Sequence, residues 1–295
     1  MMEQRRTIEA VSPYTLRNMP LRPRAWQALI ETPGTTRVSN EDGEVLLVPE
    51  RGQLRLYWAF VDIEAMRESF VDLFDAVRGD ISADRAEYVA MDLVGLPDRE
   101  WLNPLLRDLD FTFFAEWMEM VNPRLDPAAV PEFPDGVRMR RAQDADIDRL
   151  RTIYTEAFGR LSDGERAFDA MVEEAQWAGV LEANGEIAGF ALNGEVVRGE
   201  GHILTGAVAP SQWGNGYGKL VVSAATYQLA AREALHASIK LRPDITQSLR
   251  TCAELGFRHQ RAGLEYRRDV DEAAIAQARD ARRIAGVKAR FGNWR

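Results

Sequence analysis

Cysteine is almost missing from this chain of 295 residues: Cys252 stands alone. One thiol excludes an internal disulfide and a zinc site built from cysteines, and no metal is expected. Long apolar runs are missing as well. No stretch reaches the length a membrane-spanning helix needs, so no membrane partner is expected. Met1 to Ala10 is polar and charged, without the apolar centre of a signal peptide, and a cytoplasmic protein is expected. Positive charge is in deficit, with 37 Lys and Arg against 46 Asp and Glu, a net charge of −9. That balance disfavours a nucleic-acid groove and steers cationic, amine-bearing molecules. What remains is ordinary for a globular protein: 46% hydrophobic and 28% charged residues. The length favours two domains, each able to bury a core.

A seam is visible between Asn122 and Gly136, where Pro123, Pro127, Pro131 and Pro134 interrupt any regular element. Beyond it the pattern is regular. Val137 to Ala142 alternates like a strand, and Asp144-Ala145-Asp146 opens a helix with Ile147, Leu150, Ile153, Tyr154 and Phe158 on one face. A second helix is expected from Asp163 to Gln176. Asn184-Gly185 between two apolar runs is a hairpin signal. Strands follow at Gly201 to Val208, Ala237 to Leu241 and Leu264 to Arg267, with helices at Leu220 to Leu235 and Ile245 to Glu254.

The most informative stretch runs from Val208 through Trp213, Gly214, Asn215, Gly216, Tyr217, Gly218 and Lys219. Three glycines at alternate positions stand where a strand ends and a helix begins. Glycine allows positive φ and close approach of a ligand to the peptide groups. The first helical turn leaves N–H groups unpaired at the positive end of the dipole. Together they make a phosphate cradle. A dinucleotide fingerprint fits poorly, and a Walker loop fails because Lys219 is followed by Leu220.

The segment resembles motif A of the GNAT-type N-acetyltransferases, Gln/Arg-x-x-Gly-x-Gly/Ala. Gly216 and Gly218 match, whereas Trp213 stands at the Gln/Arg position, with Gln212 one place early. Leu255-Gly256-Phe257 is similar to that family's helix ending, and the order of elements across 135 to 270 is similar to its fold. The resemblance implies an α/β fold, an α+β mixed sheet, in two GNAT-like domains in tandem. The first is expected to be degenerate, within 1–130, without a coenzyme loop. The complete second domain is expected at 131–270, and a helical tail at 271–295. It also implies acetyl-CoA as cosubstrate, a small-molecule or peptide amine as acceptor, and leaves a homodimer open. A non-catalytic acyl-CoA-binding protein is the alternative.

By resemblance, the main-chain N–H of Val208 polarises the thioester. Some relatives carry a glutamate base six residues earlier, and here that residue is His202. A neutral imidazole is a competent base near neutral pH; a histidine hydrogen-bonded beside the sheet is the competing reading. Glu200 could act through water. Cys252 stands where many relatives have a tyrosine acid, with Ser248, Tyr217 and Tyr227 as substitutes.

The first half echoes the second at an offset of 146 residues, pairing Pro97-Asp98 with Pro243-Asp244, and Leu109 and Phe111 with Leu255 and Phe257. That offset sets Arg67 to Asp72 opposite the glycine loop, with no glycine there. Tyr57-Trp58-Ala59-Phe60 and Trp117 are expected in the core of the first domain.

Overall fold

The computed structural model describes residues 15–96, 100–277 and 279–281. These form two compact units, one within 1–113 and 265–295, the other Phe114–Leu264. Pro97-Asp98 and the basic residues Arg282, Arg283, Lys288 and Arg290 lie outside the described residues.

Unit 1 runs β1 (Leu16–Arg17), α1 (Pro23–Glu31), β2 (Thr36–Ser39), β3 (Gly43–Glu50), β4 (Gln53–Phe60), α2 (Ile63–Arg78), β5 (Tyr88–Val94) and α3 (Asn103–Asp108). Its strands β2, β3, β4 and β5 lie side by side in that order. Alternation along β4 sends Leu54, Leu56, Trp58 and Phe60 to one face, where they meet Phe70 and Phe74 of α2. Trp58, Phe60 and Phe70 stack ring against ring with centroids 5.7–5.9 Å apart. Burying several such rings supplies the largest share of this unit's driving force. Asp62 caps α2 by accepting from the Ala65 N–H at 2.9 Å.

Unit 2 takes most of β6 (Thr112–Asn122), then β7 (Val137–Arg141), α4 (Ile147–Phe158), α5 (Glu165–Glu174), β8 (Trp177–Ala183), β9 (Glu186–Asn193), β10 (Glu200–Val208), α6 (Tyr217–Ala230), β11 (His236–Leu241) and α7 (Thr246–Glu254). The first half of β12 (Arg258–Asp269) also belongs to it. The strand order is β6-β11-β10-β9-β8-β7. Asn184 at φ 54° and Gly185 at φ 89° make the β8–β9 turn, both in the left-handed region that such a hairpin demands. On one face α6 packs closely, its Ala224, Ala225 and Ala230 sharing a cluster with Ile203 and Ile239. A side chain at Gly201 would meet Leu229 of α6 at 2.9 Å, so glycine there lets the helix settle on the sheet. On the other face Leu150, Ile153 and Tyr154 of α4 and Phe168 of α5 cover Phe190 and Ala207.

The expected seam does not divide the compact units. β6 precedes the proline-rich stretch, yet it pairs antiparallel with β11 in unit 2, Ala237 opposite Asn122 through Leu241 opposite Met118. The far end of β12, from Glu265, belongs to unit 1, where it neighbours β5 and Arg267 stacks over Tyr88 at 3.9 Å. The last strand of each half thus completes the sheet of the other. Trp117 consequently lies in unit 2, under Lys240 at 4.5 Å, and not in the first core. Of the tail, 272–277 and 279–281 are helical, and Arg279 pairs with Asp110 at 2.8 and 2.5 Å.

The entry to α4 is held by one carboxylate. Asp146 accepts two bonds from Arg140 at 2.6 and 2.9 Å and one from the Gln143 N–H at 2.7 Å. The Arg140 guanidinium, with the Gln143 amide, holds its carboxyl below the usual range. A depressed folded value means the stabilisation is present above the unfolded pKa and is lost as pH falls through the folded one. Asp146→Asn should cost about 2 kcal/mol at neutral pH. Urea unfolding should then show a smaller loss of stability on acidification than in the parent chain.

Candidate active site

The site is built where two parallel strands part. β10 and β11 pair from Glu200 with His236 to Ile203 with Ile239, and no further. β10 continues to Val208 against β9 alone, with a bulge between Ile203 and Thr205. The bulge has a consequence for side-chain direction. Ahead of it Ile203 packs with the α6 cluster, while beyond it Val208 does so and Ala207 turns to α4 and α5. The Ala209 N–H donates to Ala188 O at 2.9 Å. Alternation then directs the N–H and C=O of Gly206 and Val208 away from β9, to the side that β11 has left.

Immediately beyond lies the glycine loop. Gly214 has φ 87°, and Gly216, in the left-handed region at φ 77°, is the residue before α6. A Cβ placed on Gly214, Gly216 or Gly218 meets no protein atom within 4 Å, so the space above the loop is open. Asn215 folds into the loop, its Nδ2 donating to Gln212 O at 3.1 Å. Tyr217 packs half-buried against the α6 cluster. Lys219 is paired with Glu254 at 3.1 Å, both half-exposed, a contact of small energetic weight. Trp213 does not replace an Arg or Gln in kind. Its indole Nε1 donates to Val208 O at 2.8 Å while 60% of the residue stays exposed.

The expected catalytic residues fare differently. His202 is exposed on β10, and its Nδ1 lies 2.5 Å from Ser238 Oγ of β11, one pair from the end of the parallel ladder. Glu200 lies exposed, its carboxylate 3.5 Å from His236 Nε2. Cys252 is 1% exposed, packed in the core with Ile239 and Phe257. Burial pushes its thiol up to about 12, which makes it a weak proton donor. Its spacing before Phe257 matched, but its surroundings are apolar.

One polar group escaped sequence reading. Arg242, just past β11, is 8% exposed and reaches Asp163 at 3.2 Å. The Asp163 N–H donates to Tyr154 Oη at 3.2 Å, and burial raises the Tyr154 hydroxyl pKa. Nothing local in the sequence marks these three residues, which meet only through the fold.

Residues 147–257 match the model of the Acetyltransferase (GNAT) family, so the chain carries a GNAT acetyltransferase domain there. Solved structures with the same fold include a GCN5-related N-acetyltransferase from Sphaerobacter thermophilus, 14% identical, TM-score 0.57, covering 83% of this chain and 85% of that one. Another, from Kribbella flavida, is 17% identical with TM-score 0.53, covering 82% and 92%. A tandem GNAT protein from the clavulanic acid biosynthesis pathway is 15% identical with TM-score 0.53, covering 81% and 85%. No curated protein matches the chain. The solved structures, all below 25% identity, share the fold of this chain.

Proposed function

We propose that the protein is an N-acetyltransferase that moves an acetyl group from acetyl-CoA to the primary amine of a small molecule or peptide. One observation carries the reading: β10 leaves β11 at Ile203 and runs on to Val208, where the Trp213 indole takes the Val208 carbonyl, so an edge that β11 has left leads into a phosphate cradle. The space over the loop fits a coenzyme, being open above all three glycines. N–H groups of the first α6 turn are aimed at that space, and the helix dipole adds to their pull on phosphate.

Acetyl-CoA supplies an activated acyl carbon. An arm that starts at the loop and follows β10 runs towards the fork at Ile203 and Ile239. Strand rise separates His202 from Val208 by about 20 Å, too far for an imidazole to reach. The acyl carbon is therefore assigned to the fork end, with Val208 holding the arm and Gly206 the nearer donor to the carbonyl oxygen. His202 takes the ammonium proton at Nε2 through water, since about 13 Å of strand separates it from Gly206, and this requires its Nδ1–H to donate to Ser238. The amine nitrogen then bonds the acyl carbon, the C–S bond breaks, and the second nitrogen proton passes through solvent to the departing thiolate, so no dedicated acid is needed.

The test is turnover across a panel of primary amines, followed as amide and free thiol formed in equal amounts. Coenzyme binding with no turnover for any amine selects the alternative, a non-catalytic acyl-CoA-binding protein.

A further inference from the structure

Unit 1 contains the same fork, and it is already filled. β4 and β5 pair in parallel only at Leu54 with Val89 and Arg55 with Ala90, after which β4 runs on to Phe60 and β5 to Val94. Into the opening comes β1, with Leu16 opposite Phe60 and Arg17 opposite Ala59, antiparallel. Asn18 is the wedge. Its N–H donates to Trp58 O at 3.3 Å and its carbonyl accepts from the Val94 N–H at 2.9 Å, so one residue joins both strands. Its side chain repeats the grip: Nδ2 donates to Leu56 O at 3.0 Å, and Oδ1 accepts from the Trp58 N–H at 2.9 Å. Asn18 is fully buried.

We infer that Leu16–Asn18 is a built-in occupant of the unit 1 fork, a peptide lying where unit 2 receives an acyl-coenzyme arm, and that unit 1 is closed to coenzyme for this reason. The inference rests on the reading of the unit 2 fork as the coenzyme groove. A second feature points the same way. Only Val61 and Asp62 separate β4 from α2, and the Asp62 carboxylate takes the Ala65 N–H. A carboxylate thus occupies the helix end that a phosphate would need, and it repels one. The backbone amides of a pantetheine-like arm and the primary amide of asparagine present the same donor and acceptor, which is why Asn18 can satisfy a strand edge that has lost its neighbour. Alanine there would leave the Leu56 carbonyl and the Trp58 N–H unpaired in the interior.

Amide hydrogen exchange on the full chain tests the occupant. The Trp58 and Val94 amides should be protected like core amides in the parent protein. Asn18→Ala should speed exchange at Trp58 roughly tenfold or more, with Gly206 and Val208 unchanged. Calorimetric titration with coenzyme A should give one equivalent per parent chain. A Trp58 amide that exchanges in the parent as fast as an unpaired strand edge overturns the inference, as do two equivalents of coenzyme. If Trp58 is protected and no coenzyme binds at all, the occupant stands and the reading of unit 2 falls.

Discussion

Gly218→Leu should weaken coenzyme A binding by roughly 100-fold, about 2.8 kcal/mol at 1.4 kcal/mol per tenfold, while the protein becomes no less stable. Gly218 lies in the first turn of α6 and has no positive φ. Leucine there improves helix propensity by several tenths of a kcal/mol, and its Cβ meets nothing of the protein. The side chain would instead fill the space assigned to the pyrophosphate. Gly216→Val should also lose binding, but φ 77° adds backbone strain, so its melting temperature should fall. The pair separates a lost ligand from a damaged fold. Normal coenzyme affinity in a folded Gly218→Leu protein would remove the cradle from the mechanism.

His202→Ala should lower turnover by about 100-fold or more, the size expected on removing a general base, with coenzyme affinity unchanged. In the parent protein activity should fall on acidification, because a protonated ring cannot accept the ammonium proton. The variant should lose that dependence. The structural alternative is concrete, since the Ser238 contact alone could explain the histidine. In that case His202→Ala costs stability and the surviving activity keeps the parent pH profile. That outcome would send the search for the base to Glu200 or to ordered water.

The parts legible in the sequence are local ones. Asn184-Gly185 needs two left-handed residues and so announces its hairpin; the alternate glycines of the loop announce an open helix start. Element order from Val137 to Glu254 follows from periodicities that neighbouring residues set. The offset of 146 residues also holds for the last strands, since β6 starts at Thr112 and β12 at Arg258.

What stayed hidden is non-local. A strand's own alternation does not say which edge it joins, so nothing near Trp117 in the sequence places it in unit 2 and not in the core that precedes it. The same offset set Arg67 to Asp72 opposite the glycine loop, whereas the strand-to-helix junction is Val61-Asp62, because unit 1 has a two-residue connection where unit 2 has eight. The bulge at Leu204 and the wedge at Asn18 leave no composition signal at all. Each is a backbone arrangement that one ordinary residue happens to satisfy.

The exchange of last strands also sets a timetable for synthesis. Unit 1 draws on residues 1–113 and then on residues from Glu265 onward. At typical elongation speeds the missing strand leaves the ribosome roughly 8–30 s after the rest of its sheet. Through that interval the β5 edge lacks the strand that neighbours it in the folded protein. A nascent chain in this state offers an unpaired strand to any other nascent chain. The first half of the gene expressed alone should therefore aggregate, and co-expression of residues 255–295 as a separate peptide should restore part of its solubility.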